Sequence, residues 1–291
     1  MSTTTASNQV FEWGRFTAAL RKELVENKRQ LILIVVSMYL FLTVAMVLGH
    51  VIVGNMSEES FFNKFMSVMQ TTLVMSVYSI ALMVTASLAF RNLTSKPGRV
   101  ALFTSPSSNT EKFIVNLLIY VIGMMVAFFA SAQLADLTRY AVLSPFQSPT
   151  FVVAPPVNYI DTMLNGPEEL MSMAGMSQLA VQTKWMMLLT LILSPATYFM
   201  GSVLWPRWAV IKTFAANQLL NIFINTILFT IFAAPQMLSM ASSNDPTEMI
   251  STMGGYTRIA TYISYVVYAA CWVGAWYLFK RKDVVSLKWW S

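Results

Sequence analysis

Charge is scarce in this sequence: only 11% of its 291 residues are Asp, Glu, Lys or Arg, against about 25% in a typical soluble domain. With 56% hydrophobic residues and a mean hydropathy of +0.58, the chain lacks the polar surface that a water-soluble globule needs. Histidine and cysteine are scarcer still. One histidine (His50) and one cysteine (Cys271) exclude an internal disulfide, a multi-ligand Cys/His metal centre and a Cys/His catalytic pair. Catalytic signatures are missing too: there is no H-E-x-x-H, no G-x-S-x-G and no pair of aspartates within an apolar run. The composition is that of an integral membrane protein without an active site of its own.

What the chain does have is long hydrophobic runs. A helix needs about 20 mostly apolar residues to cross the hydrocarbon core. Six stretches qualify: Leu31–Val53, Ser67–Phe90, Phe113–Ala135, Trp185–Leu204, Thr213–Ala234 and Ile259–Phe279. They are long and continuous, without the alternation of a barrel strand. The expected fold is therefore an all-α integral membrane domain of six transmembrane helices over residues 31–291. Residues 1–10, rich in Ser and Thr, form a disordered N-terminus in this reading.

The few charges are distributed unevenly. With both termini on one side, fifteen basic residues face five acids there (+10), and four basic residues face eight acids on the other side (−4). The excess of Lys and Arg marks the cytoplasmic side, so both termini are expected in the cytoplasm. The net charge of +6 is thereby explained without nucleic acid as a partner.

The connecting segments carry further expectations. Phe11, Phe16, Leu20 and Leu24 fall near helical spacing among charges, with Trp13 beside them. Residues 11–30 thus read as an amphipathic cytoplasmic helix lying in the interface before the chain turns into the first span. In the loop 91–112, Pro97-Gly98 reads as a turn, Val100–Phe103 is an apolar patch outside lipid, and Ser108-x-x-Glu111 has capping-box spacing at the start of the third span. Trp205–Lys212 is short enough to force a tight hairpin. Outside, 136–184 begins irregularly around Pro145, Pro149, Pro155 and Pro156, and residues 170–180 are read as a short helix. Residues 235–256 read either as two short re-entrant helices or as a capped loop.

Within the spans, polar features are sparse. The six apolar cores contain no Asp, Glu, Lys or Arg, which removes the usual residues of an ion-coupled carrier. Asp136 and Arg139 are placed at or beyond a span end, and His50 is read as interfacial. Asn217, Asn221 and Asn225 recur every four residues and share one helix face. Such a face should meet another helix or a water-filled path rather than lipid. The 21 methionines are read as flexible packing rather than soft-metal ligands. Pro195 after Ser194 is expected to kink the fourth span.

Three motifs in order along the chain resemble the permease subunits of type-2 ABC exporters, particularly the Bacteroidetes-like branch. Thr104-Ser105-Pro106-Ser107-Ser108-Asn109-Thr110-Glu111-Lys112-Phe113 is similar to the family's "lPaS…EKf" approach to the third span. Trp205-x-Arg207-x-x-x-Ile211-Lys212-Thr213 is similar to its "iKT" approach to the fifth, and Phe279-Lys280-Arg281-Lys282 follows the sixth as the closing motif. The departure is Thr104-Ser105 where a leucine usually precedes the proline. The resemblance implies a half-transporter of the bacterial cytoplasmic (inner) membrane that forms a homo- or heterodimer and binds two cytoplasmic ABC ATPase subunits. On this reading ATP and Mg bind the partner, since the chain itself has no G-x-x-x-x-G-K-[ST]. Pro97, Arg99, Ser107, Glu111 and Lys112 would belong to the ATPase coupling loop, and Asn217, Asn221 and Asn225 to the dimer face or path. Rival readings are a scaffold subunit of an envelope or motility complex, and a secondary carrier.

Overall fold

The computed structural model describes residues 11–53, 59–148, 151–162, 185–186, 188–233 and 246–281. Among them there is no strand, only an isolated bridge between Ser148 and Phe151; the rest is dominated by helix. We number the helices α1 (Trp13–Val53), α2 (Glu59–Leu88), α3 (Lys96–Phe103), α4 (Asn109–Phe146), α5 (Leu188–Leu204), α6 (Ala209–Leu228) and α7 (Pro246–Lys280). A π-helical segment, Leu118–Gly123, lies within α4, and another, Phe229–Ala233, follows α6. Among the described residues five helices are long and apolar enough to cross a membrane: α1, α2, α4, α6 and α7. This is the architecture of a multi-pass membrane protein. The expected fourth span is the shorter apolar helix α5.

Two expectations about helix boundaries are corrected. The chain does not turn between residues 30 and 31, because α1 runs unbroken for 41 residues. No proline lies between Trp13 and Val53, and the residues on either side of position 30 are good helix formers, so nothing in the backbone stops the helix where the side chains change from charged to apolar. At 1.5 Å per residue α1 is about 62 Å long, twice the ~30 Å of a hydrocarbon core. Likewise α7 begins at Pro246, inside the segment 235–256 expected to hold separate short helices or a loop, while its apolar stretch, Arg258–Lys280, matches the expected last span. A proline in the first turn suits a helix start because its missing N–H has no partner there anyway. The other half of the segment 235–256, and the expected short helix at 170–180, lie outside the described residues.

The chain divides into two compact units, one formed by residues 1–85 and 106–185, the other by 86–105 and 186–291. In the first unit α1 and α4 run parallel. Glu12 meets Glu111, Tyr39 meets Thr138 at 2.9 Å, and His50 meets Arg139, in the same order along both helices. On α1 the buried residues of the apolar half are Met38, Leu42, Met46 and His50, one per turn. Ser131, Ala132 and Ala135 of α4 are buried as well. Small side chains let two membrane helices approach closely. Along α2, Phe62, Met66, Gln70, Val74 and Tyr78 form a second buried seam, with the Tyr78 ring against Phe128 and Phe129 of α4.

The second unit is built on aromatic rings. Phe90 packs against Phe199 of α5 and Phe279 of α7, with centroids 5.1 and 4.7 Å apart, and Phe199 also meets Trp272. The helical ladder of α5 is interrupted at Ser194 and resumes at Pro195, as a proline inside a helix requires. The expected hairpin of α5 and α6 is closed by Trp208 in the left-handed region, φ 60°. Gly201 makes the hairpin tight, since a Cβ there would overlap the Thr213 side chain of α6.

Candidate functional site

The loop between the second and third spans is the candidate site, and it contains a helix rather than a turn. Pro97 and Gly98 lie in the first turn of α3, which Ser95 caps by accepting from the Gly98 N–H at 3.1 Å. Proline fits that position. A Cβ at Gly98 would collide with the Asn92 carbonyl, so only glycine allows the chain to fold back this tightly.

One contact joins α3 to the 3-10 turn before it, Arg91–Thr94, and two tether this pair to the rest of the second unit. Arg99 donates from Nη1 to the Leu93 carbonyl at 3.4 Å, and Thr94 donates to the Pro206 carbonyl in the α5–α6 turn at 3.2 Å. Phe103 stacks on Phe279 near the end of α7. No residue of α3 is fully buried. Lys96, Pro97, Val100 and Ala101 are exposed and form its outer side.

After Pro106 the chain enters the first unit, where Ser107, Glu111 and Lys112 are all buried. Ser108 and Glu111 form the expected capping box: the Ser108 side chain accepts from the Glu111 N–H, and Glu111 Oε2 accepts from the Ser108 N–H at 2.7 Å. The other carboxylate oxygen of Glu111 accepts from the Glu12 N–H at 2.8 Å and lies 3.5 Å from Arg15 Nη2. Glu111 therefore fastens the start of α4 to the start of α1. Lys112 is followed one turn later by Asn116, whose amide donates back to the Lys112 carbonyl at 2.9 Å. Of the five residues expected in the coupling loop, only Pro97 is exposed. Arg99 is half-buried, and Ser107, Glu111 and Lys112 are buried.

The three asparagines of α6 lie as their spacing requires, but the amides of Asn221 and Asn225 turn back along their own helix. Asn221 donates to the Asn217 carbonyl at 2.9 Å and Asn225 to that of Asn221 at 2.8 Å. The Asn217 side chain also meets the Tyr198 hydroxyl of α5. Few residues of α6 are buried, namely Ala209, Thr213 and Leu228. Its large apolar side chains, among them Leu219, Ile222 and Phe223, are exposed.

Sequence reasoning missed the most polar cluster in the first unit. Asp136 and Arg139 continue α4 past Ala135, where the apolar run ends, and His50 lies near the end of α1; all three are 0% exposed. Arg139 Nε donates to Asp136 Oδ1 at 2.6 Å, Nη1 meets His50 Nδ1 at 3.1 Å, and Nη2 donates to the carbonyls of Ala154 and Pro155. Asp136 Oδ2 accepts from the Val157 N–H at 2.6 Å, and His50 Nε2 meets the Val152 carbonyl at 2.9 Å. A carbonyl only accepts, so Nε2 carries the imidazole proton and Nδ1 accepts from Arg139. The available signal was Asp136-x-x-Arg139, an oppositely charged pair one helical turn apart. Its partners are distant in the chain.

Among the described residues, no group of three or more His, Cys, Asp or Glu side chains is placed to hold a metal ion. No protein-family model, curated protein or solved structure matches this chain.

Proposed function

We propose that the chain is the membrane-spanning permease subunit of an ATP-driven exporter in a bacterial inner membrane. It works with a second permease protomer and with separate ATPase subunits in the cytoplasm. The observation that supports this reading is α3. A short helix with an exposed side of Lys96, Pro97, Val100 and Ala101 is tied to the 3-10 turn after α2 and to the end of α7, and that 3-10 turn is tied to the α5–α6 turn. Force applied to such a helix reaches α7 directly, and α2 and the α5–α6 hairpin through the 3-10 turn, which is what a subunit driven by a partner's ATP requires.

On this reading both termini and α3 lie in the cytoplasm, α5 completes a sixth span, and the exposed side of α6 meets the second protomer. The asparagine face lies at that protomer contact or along the translocation path. The residues that meet the ATPase are those on the outer side of α3, whereas Arg99, Glu111 and Lys112 hold the loop in shape.

Affinity capture of the full chain from the cells that make it, followed by mass spectrometry, tests the proposal. A Walker-A ATPase should co-purify, and Val100→Asp should reduce its recovery at least tenfold while leaving thermal unfolding of the chain unchanged. Recovery of the folded chain with no nucleotide-binding protein in any preparation would overturn the reading.

A further inference from the structure

The polar groups that meet His50 are themselves engaged. The imidazole gives its Nε2 proton to the Val152 carbonyl and receives the Arg139 guanidinium at Nδ1. The same guanidinium holds the carbonyls of Ala154 and Pro155, and Asp136 holds the Val157 N–H. Four of the strap residues 152–157 are thus fixed to α1 and α4 through three ionisable side chains. Val153 and Ala154 are buried beneath the strap's outer side, with Ala154 in one apolar cluster with Phe62 and Met66 of α2.

We propose that His50, Arg139 and Asp136 form an acid-releasable clasp that fastens the 152–157 strap to α1 and α4. The reason is the occupancy of Nδ1. A second proton on the imidazole must go to that nitrogen, where it would point at the Arg139 N–H with no acceptor between two cations. The clasp can therefore be closed only when His50 is neutral. The other groups facing His50 do not relieve this. Asp136 is bound to Arg139 Nε and Val157 and also meets the Tyr159 hydroxyl, which lies 3.9 Å from Met46 Sδ. From α2 the described neighbour is the Phe62 ring, and from the strap side it is Phe151.

The size of the effect follows from proton linkage. An opened clasp frees the imidazole to take a second proton. The open form then binds one more proton than the closed form, so on acidification the open-to-closed ratio rises, by at most about tenfold per pH unit. The inference is independent of whether the chain is an exporter subunit.

The single histidine makes the test direct. Full-length protein labelled with 15N-histidine in lipid nanodiscs should give one neutral imidazole protonated at Nε2 at pH 7.5. On acidification its conversion to the doubly protonated form should coincide with loss of hydrogen-exchange protection at the Val157 amide, after correction for intrinsic rates. His50→Gln offers the same acceptor and donor without a titrating group, and should keep Val157 protected from pH 7.5 to 5. Imidazole protonation with Val157 still protected would overturn the proposal, as would equal pH dependence in His50→Gln and wild type. The wild-type spectra alone decide the matter if the variant does not fold.

Discussion

Glu111 holds Glu12 by its backbone. Oε1 of the first acid accepts the N–H of the second at 2.8 Å, across 99 residues of chain. Because the same carboxylate closes the capping box of α4 through Oε2, one buried side chain organises the first turns of two long parallel helices. Removing it leaves two backbone N–H groups and Arg15 without this acceptor. Glu111→Ala is expected to cost about 2–3 kcal/mol, from a lost cap and an unsatisfied buried donor. Glu111→Gln keeps one carbonyl oxygen and should cost about half as much. Unfolding of the detergent-solubilised chain measures both.

Gly201 and Thr213 set the spacing of α5 and α6. Gly201→Ala drives a methyl group into the Thr213 side chain, an overpacking expected to cost about 1–3 kcal/mol. Thr213→Ala removes the obstructing hydroxyl and methyl. The double variant should therefore be more stable than Gly201→Ala alone, and a double-mutant cycle by thermal unfolding checks the sign.

The Asp136–Arg139 pair should show strong coupling. Arg139→Leu leaves a buried carboxylate without its cation, and a loss of about 3–5 kcal/mol is expected. Adding Asp136→Leu removes the uncompensated charge, so the double variant should recover part of that loss. Additive losses in the cycle would mean that the two side chains do not act as a pair.

Tyr39 and Thr138 join α1 and α4 through their hydroxyls at 2.9 Å. Hydrogen bonds between membrane helices average about 0.6 kcal/mol. Tyr39→Phe should accordingly lower stability by no more than about 1 kcal/mol, well short of the effect of Glu111→Ala in the same assay.

Features set by near neighbours in the chain were legible in the sequence. Ser108 and Glu111 cap a helix through groups three residues apart, and Pro195 interrupts a helix by its own ring. The asparagine spacing on α6 was equally legible, but not the direction of its amides, since each has a carbonyl four residues back as an alternative partner. The loop at Pro97-Gly98 was misread because that dipeptide opens a helix as readily as it makes a turn when Ser95 stands before it. The His50 clasp was hidden for a different reason. Its members are separated by 89 and 15 residues, and only the packing of α1 on α4 brings them together. The break expected after Gln30 came from a change in polarity, which moves side chains between solvents without altering the backbone.

The continuity of α1 has a mechanical consequence. It is fastened to α4 at Glu12 and again at His50, about 57 Å apart at helical rise. A jointed rod would absorb a displacement at its elbow. An unjointed one pinned at both ends behaves as a strut that ties the Glu111 end to the strap without a hinge between them.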